Sequence, residues 1–144
     1  MKVKELKPQY VELMPKVIEE GVLYISQKYA TAVHKCCCGC GEKVVTPLKP
    51  TEWSLTVTKG AATLRPSIGN WGFACRSHYW IRNNRVVWSG DMTTAEIERN
   101  RRRDRVAKQE YFAQVNAQRT KAPSSTGEQS PGLWRSLLDW FASR

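Results

Sequence analysis

No stretch of the chain approaches the ~20 consecutive apolar residues that span a bilayer, so a helical membrane protein is excluded. The opening Met1-Lys2-Val3-Lys4-Glu5-Leu6-Lys7 alternates charge with apolar residues and lacks the apolar centre of a secretion signal, which predicts a cytoplasmic chain. Acidic residues are scarce, 13 against 23 Lys and Arg, and histidine occurs only as His34 and His78. Outside residues 36–40 the one cysteine is Cys75. Cytosolic thiols are kept reduced, and neighbouring cysteines on a short segment cannot close a relaxed disulfide. Cysteines gathered in this way point to a metal instead.

With 144 residues, 41% of them hydrophobic, there is room for one ordinary domain with a modest core and some appendages. The formal charge is +10, and residues 1–90 hold 13 Lys/Arg against 6 Asp/Glu. The excess thus belongs mostly to the folded part. A field of this sign favours acidic partners, either nucleic acid or an acidic protein surface.

Residues 1–90 read as a mainly β domain. Within residues 1–30, strands are expected with a turn or short helix between them, one of them the β-favouring run Gly21-Val22-Leu23-Tyr24-Ile25-Ser26. Thr31 to His34 leads into the cysteines, and Val44-Val45 precedes Pro47. Trp53, Leu55 and Val57 alternate onto one face of a strand that ends in a Lys59-Gly60 turn. Ser77–Arg82 and Arg85–Trp88 flank Asn83-Asn84, a pair that tolerates the positive φ of a type I′ hairpin turn. At Thr93 the period changes. Thr93 with Glu96 forms a capping box, and the arginine-rich run that follows predicts a basic helix over 91–118. Residues 119–132 have linker composition, and Leu133, Leu137, Trp140 and Phe141 predict an amphipathic helix in the tail, 133–144. The fold class expected is a small zinc-stabilised antiparallel sheet domain with a C-terminal basic helix and a flexible tail.

His34-Lys35-Cys36-Cys37-Cys38-Gly39-Cys40-Gly41 carries the clearest chemistry. Zinc in a structural site takes four ligands in a tetrahedron, and glycines between the thiols let the backbone curl so that sulfurs converge. In an extended segment Cys36, Cys38 and Cys40 share one face, with Cys37 opposite, and Cys75 completes the set. A competing set uses Cys37 and Cys40, spaced as in zinc knuckles; His34, and His78 three residues after Cys75, are further candidates. Four thiolates make the zinc structural and leave both histidines for other work.

A second cluster comprises Leu64-Arg65-Pro66-Ser67-Ile68-Gly69-Asn70-Trp71 and Cys75-Arg76-Ser77-His78-Tyr79-Trp80-Ile81. With Gly21–Ser26 and the His-x-Cys-x-Cys-Gly-Cys-Gly pattern, it resembles, over about residues 10–90, a bacterial family of BubE-type serine peptidases encoded beside ubiquitin-like conjugation genes. Cys37 departs from the pattern, which has a small residue or proline there. The resemblance implies a serine peptidase of a bacterial defence or modification operon, with a ubiquitin-like protein and its conjugation enzymes as partners. Such an enzyme trims the modifier's precursor or removes the modifier from its targets. A serine nucleophile needs a base within reach and oxyanion donors. Ser77 and His78 are adjacent, and adjacent strand residues face opposite ways. Two pairings are left: Ser67 with His78, on a Pro66–Asn70 turn whose Gly69 and Asn70 amides serve as donors, or Ser77 with His34 beside the metal. The first is preferred.

The alternative from a different class is a non-catalytic zinc module that binds nucleic acid or a protein through the basic helix and the tryptophans. Trp53, Trp80 and Trp88 fall in strand patterns, however, and the arginines read as a solvated helix face.

Overall fold

The computed structural model describes residues 1–121. Strands β1 (Lys7–Tyr10), β2 (Val22–Ser26), β3 (Thr31–Lys35) and β4 (Lys43–Pro47) form one sheet in that order. Strands β5 (Ser54–Thr58), β6 (Ala61–Gly69), β7 (His78–Arg82) and β8 (Arg85–Trp88) form a second, also in chain order. The mainly β expectation holds. Every pairing is antiparallel except β1 with β2, which is parallel. A parallel pair needs a crossover of about a dozen residues, and the irregular chain between Tyr10 and Val22 supplies it. Two hairpins close on two-residue turns, Lys59-Gly60 with φ of 50° and 77° and Asn83-Asn84 with φ of 48° and 69°. Positive φ at both positions matches the twist of the flanking strands, as the asparagine pair predicts.

Alternation places Leu23 and Ile25 of β2 in one core with Leu64 and Ile68 of β6 and Tyr79 and Ile81 of β7, so both sheets contribute to it. Trp53, Leu55 and Val57 pack against this core, on one face as their spacing predicts. Each fully buried aliphatic side chain here contributes roughly 1.5–3 kcal/mol of transfer free energy. The chain's first residues join the sheets. Val3 donates to the Cys37 carbonyl, Leu6 to Asn84 and Val86 to Lys4, all at 2.8–2.9 Å, and Leu6 is buried completely. On the opposite side of the first sheet, Tyr24 and Val33 pack with Ile18 from the crossover.

The largest departure from expectation is β6. The segment Pro66–Asn70 is not a turn; Ser67 lies inside the longest strand, which runs from Ala61 to Gly69. Pro66 donates no backbone hydrogen bond, and it sits where β6 has already outrun β5, whose pairing stops at Arg65. Local sequence cannot distinguish such a proline from one in a turn.

Residues 1–111 make one compact unit, and the chain from Phe112 belongs to a second. Helix α1 spans Thr94–Lys121 and begins with the expected capping box. The Thr93 N–H and hydroxyl both donate to Glu96 Oε2 at 2.8 Å, and these bonds hold the Glu96 carboxyl below its usual range. Within the first unit, buried Ile97 and a Lys108–Glu52 ion pair fasten α1 to the domain. Among the described residues no helix is long and apolar enough to cross a membrane. The linker expected at 119–132, beyond its first residues, and the tail helix expected at 133–144 lie outside the described residues.

Candidate functional site

Two polar centres meet at the start of β7, where Ser77 and His78 are neighbours. The first is sulfur-rich. Cys36 follows β3, Cys38 and Cys40 lie in the turn behind it, and Cys75 lies in the loop that enters β7. Gly39 and Gly41 take φ of 84° and 83°, and a Cβ on Gly39 would stand 2.8 Å from the Met1 carbonyl oxygen, so the turn needs glycine there. The four sulfurs of Cys36, Cys38, Cys40 and Cys75 lie within 4.8 Å of one another. A zinc tetrahedron with bonds of about 2.3 Å has sulfur–sulfur edges of about 3.8 Å. Here Cys36–Cys38 is 3.4 Å, Cys36–Cys75 3.9 Å and Cys40–Cys75 3.7 Å, so the donor set fits a metal ion. Cys37 lies outside this group, fully buried in the core, and burial pushes its thiol up to about 12.

Behind the sulfurs is a buried polar network. Ser77 Oγ is 3.0 Å from Cys36 Sγ and 3.5 Å from Cys75 Sγ. Asn70 Nδ2 donates to Ser77 Oγ at 2.9 Å and lies 3.4 Å from the Tyr79 hydroxyl and 3.6 Å from Cys36 Sγ. His34 is completely buried on β3; its Nε2 bonds the Tyr79 hydroxyl at 2.9 Å, and its Nδ1 has no hydrogen-bond partner among the described residues. Burial pulls the His34 pKa down to about 3, so the ring stays neutral.

The second centre is on the other side of β7. His78 pairs with Gly69 across β6 and β7, so its side chain shares a face with Ser67 two residues back. Ser67 Oγ lies 3.0 Å from His78 Nε2, and His78 Nδ1 lies 3.0 Å from the Gly90 carbonyl oxygen. A carbonyl only accepts, so Nδ1 carries the ring proton. Nε2 then presents a lone pair to the Ser67 hydroxyl. The indole of Trp71 stands 5.0 Å from the imidazole, and Arg76 lies over that indole at 5.5 Å. Gly69 makes room for it: a Cβ there would fall 2.4 Å from Trp71 Nε1.

Ser67 and His78 open into a cleft of about 540 Å³, a size typical of ligand sites. Trp53, Trp71 and Phe73 give it apolar walls, while Asn100, Arg101, Arg103 and Lys108 line it from α1. Glu52 and Asp104 are its carboxylates, the former paired with Lys108.

Of the residues singled out in the sequence, the structure therefore brings together Ser67 with His78, and Cys36, Cys38 and Cys40 with Cys75. It does not bring Ser77 to His34; the hydroxyl turns to the sulfurs and the imidazole to Tyr79. Nor is the Asn70 amide free to serve as an oxyanion donor, since its N–H donates to the Ser77 carbonyl at 2.9 Å and its side chain faces the sulfurs. Sequence reasoning missed the Gly90 carbonyl and the α1 wall, and it gave Trp71, named in the second cluster, no role. A main-chain carbonyl carries no residue signature, and α1 reads as a solvated face until its contacts are seen.

The model of the family described as bacterial ubiquitination-like system serine protease (BubE) matches residues 10–89, over half of the chain. No curated protein and no solved structure matches it.

Proposed function

The chain belongs to the BubE family of bacterial ubiquitination-like system serine proteases, and from that premise we propose that it is a peptidase in which Ser67 is the nucleophile and His78 its general base. The observation that carries this reading is the relay Ser67 Oγ–His78 Nε2 at 3.0 Å and His78 Nδ1–Gly90 O at 3.0 Å, opening into the cleft. The carbonyl holds the imidazole in the tautomer that accepts the serine proton, the service a carboxylate performs in the Ser-His-Asp arrangement. Ser67 Oγ attacks the scissile carbonyl carbon while its proton passes to Nε2. The imidazolium then protonates the departing amine, and water, deprotonated by the same nitrogen, releases the acyl group from Ser67.

The substrate proposed is a ubiquitin-like protein, cut after its C-terminal segment in the precursor or in conjugates, with its conjugation enzymes as further partners. Cys36, Cys38, Cys40 and Cys75 would hold a zinc ion, which supplies cross-linking of the β3–β4 turn to the entry of β7 and leaves no position open for water. Ser77 and Asn70 support those sulfurs through hydrogen bonds, as groups behind a ligand set do.

Incubation of the full chain with the system's ubiquitin-like precursor, followed by mass spectrometry, tests the reading together with a fluorophosphonate probe. Cleavage and labelling at Ser67, both lost in Ser67→Ala, are expected. A Ser67→Ala variant that cuts at the wild-type rate would overturn it.

A further inference from the structure

We propose that the stretch of β6 beyond the end of β5 is a substrate-binding edge, and that an extended polypeptide tail docks there as an added strand, paired through the main chain of Gly69. The inference rests on the peptidase reading for the identity of the tail, but its geometry is independent of that reading.

β5 pairs with β6 only from Ala61 to Arg65. β6 continues to Gly69, and past Arg65 its described pairings are with β7 alone, Ile68 with Tyr79 and Gly69 with His78. The chain before β5 does not extend the sheet, because the Trp53 N–H donates to the Pro47 carbonyl at 3.1 Å. Among the described residues a length of sheet edge therefore lies open, and Ser67 and Gly69 on it line the cleft. Proteins ordinarily shield such edges. An edge left open inside a cleft is suited to strand addition, in which main-chain bonds give affinity.

The direction of the Gly69 polar groups follows from the β7–β8 hairpin. Arg82 and Arg85 flank a two-residue turn, so they exchange main-chain bonds, and residues of β7 then alternate between β8 and β6. By that alternation Tyr79 faces β6 and His78 faces β8, in agreement with the Ser89 N–H donating to the His78 carbonyl at 2.9 Å. Opposite them, Ile68 bonds to β7 and Gly69 turns its N–H and C=O the other way, to the open edge. The Asn70 N–H, donating to the Ser77 carbonyl at 2.9 Å, restores the alternation one residue on. Gly69 is exposed, and its missing side chain leaves the face beside it to Trp71.

A strand added here would lie about 4.8 Å from β6, the spacing of neighbours in a sheet. Its main chain would run past Ser67, whose hydroxyl is on the His78 face of the same edge. Residues 51–53 and the α1 side chains Asn100 and Arg103 bound the slot on its other sides. The site selects a segment with unpaired amides, which a folded domain lacks and an extended C-terminal tail has.

The test uses full-length Ser67→Ala protein labelled with ¹⁵N, titrated with a synthetic peptide that spans the cleavage segment of the system's ubiquitin-like precursor. Matched peptides are N-methylated at one amide each. A rise in Kd of about tenfold at every second position, with the intervening positions nearly unaffected, is expected. The Gly69 amide should gain exchange protection on saturation, while the Ile68 amide is protected before and after. Equal effects at all positions, an unprotected Gly69 amide in the complex, or no binding would each overturn the proposal. Wild-type cleavage and probe labelling report separately on the peptidase reading: the alternating pattern without labelling at Ser67 keeps the edge and removes the nucleophile.

Discussion

The two serine–histidine combinations in this chain differ in what surrounds them. Ser77 and His34 are both buried; the hydroxyl is spent on two thiols and the imidazole on a phenol. Ser67 and His78 face a cleft, bonded to each other, with the second imidazole nitrogen held by a carbonyl. Ser77 and His78 are adjacent in sequence, yet the pleat of one strand sends the first to the sulfurs and the second to Ser67. The lesson is that chemistry here is allotted by face. One side of the β7 entry faces the gathered sulfurs, and the other opens to the cleft.

The sharpest way to break this comparison is to exchange the serines. Ser67→Ala is expected to lower kcat on the precursor by at least about 10⁴-fold, while Ser77→Ala keeps turnover and instead weakens the metal site. Kinetics and metal analysis of both purified variants read this out; similar kcat losses in the two would erase the distinction. Next in size is the metal. A structural thiolate site contributes on the order of 10 kcal/mol, comparable with a whole domain's stability, so a strong chelator or Cys75→Ser should abolish the cooperative thermal transition. Cys37→Ala should retain one metal ion per chain and lose only about 1–2 kcal/mol of core packing, as read by denaturant titration. Loss of metal from that variant instead would return Cys37 to the ligand set.

Smaller changes sharpen the reactive side. Gly69→Ala places a methyl where the Trp71 indole stands, so the indole must leave the imidazole; kcat/KM should fall about 10- to 100-fold with the metal content unchanged. An unaltered rate would show that Trp71 has no part in holding His78. The smallest effect expected is that of Thr93→Ala, about 1 kcal/mol at the helix start, seen by far-UV circular dichroism. Because the Glu96 carboxyl is lowered in the folded chain, this cap is complete above the ordinary carboxylate range and is lost as pH falls through the lowered value.

Much of the scaffold was legible beforehand. The alternation of Trp53, Leu55 and Val57, the Asn83-Asn84 turn and the Thr93–Glu96 box are local patterns, and local sterics and hydrogen bonds enforce them wherever they occur. The thiols of Cys36, Cys38 and Cys40 do converge as expected, but through a turn at Gly39 and not through the alternation of an extended segment on which that choice rested. Ser67 was read on a turn because Pro66 marks turns in most settings; only the early end of β5 turns that proline into a tolerated edge residue.

From the sequence alone follow a β domain, a sulfur cluster suited to a metal, and a short choice of serine–histidine pairs. Those depend on residue type and on separations of a few positions. Which pair meets, that Gly90 lends its carbonyl, that α1 forms a wall, and that β6 outruns its neighbour were decided only by the tertiary structure. Each is a contact between segments joined by a strand, a loop or a crossover, and backbone register, which no single residue encodes, sets the distance between them.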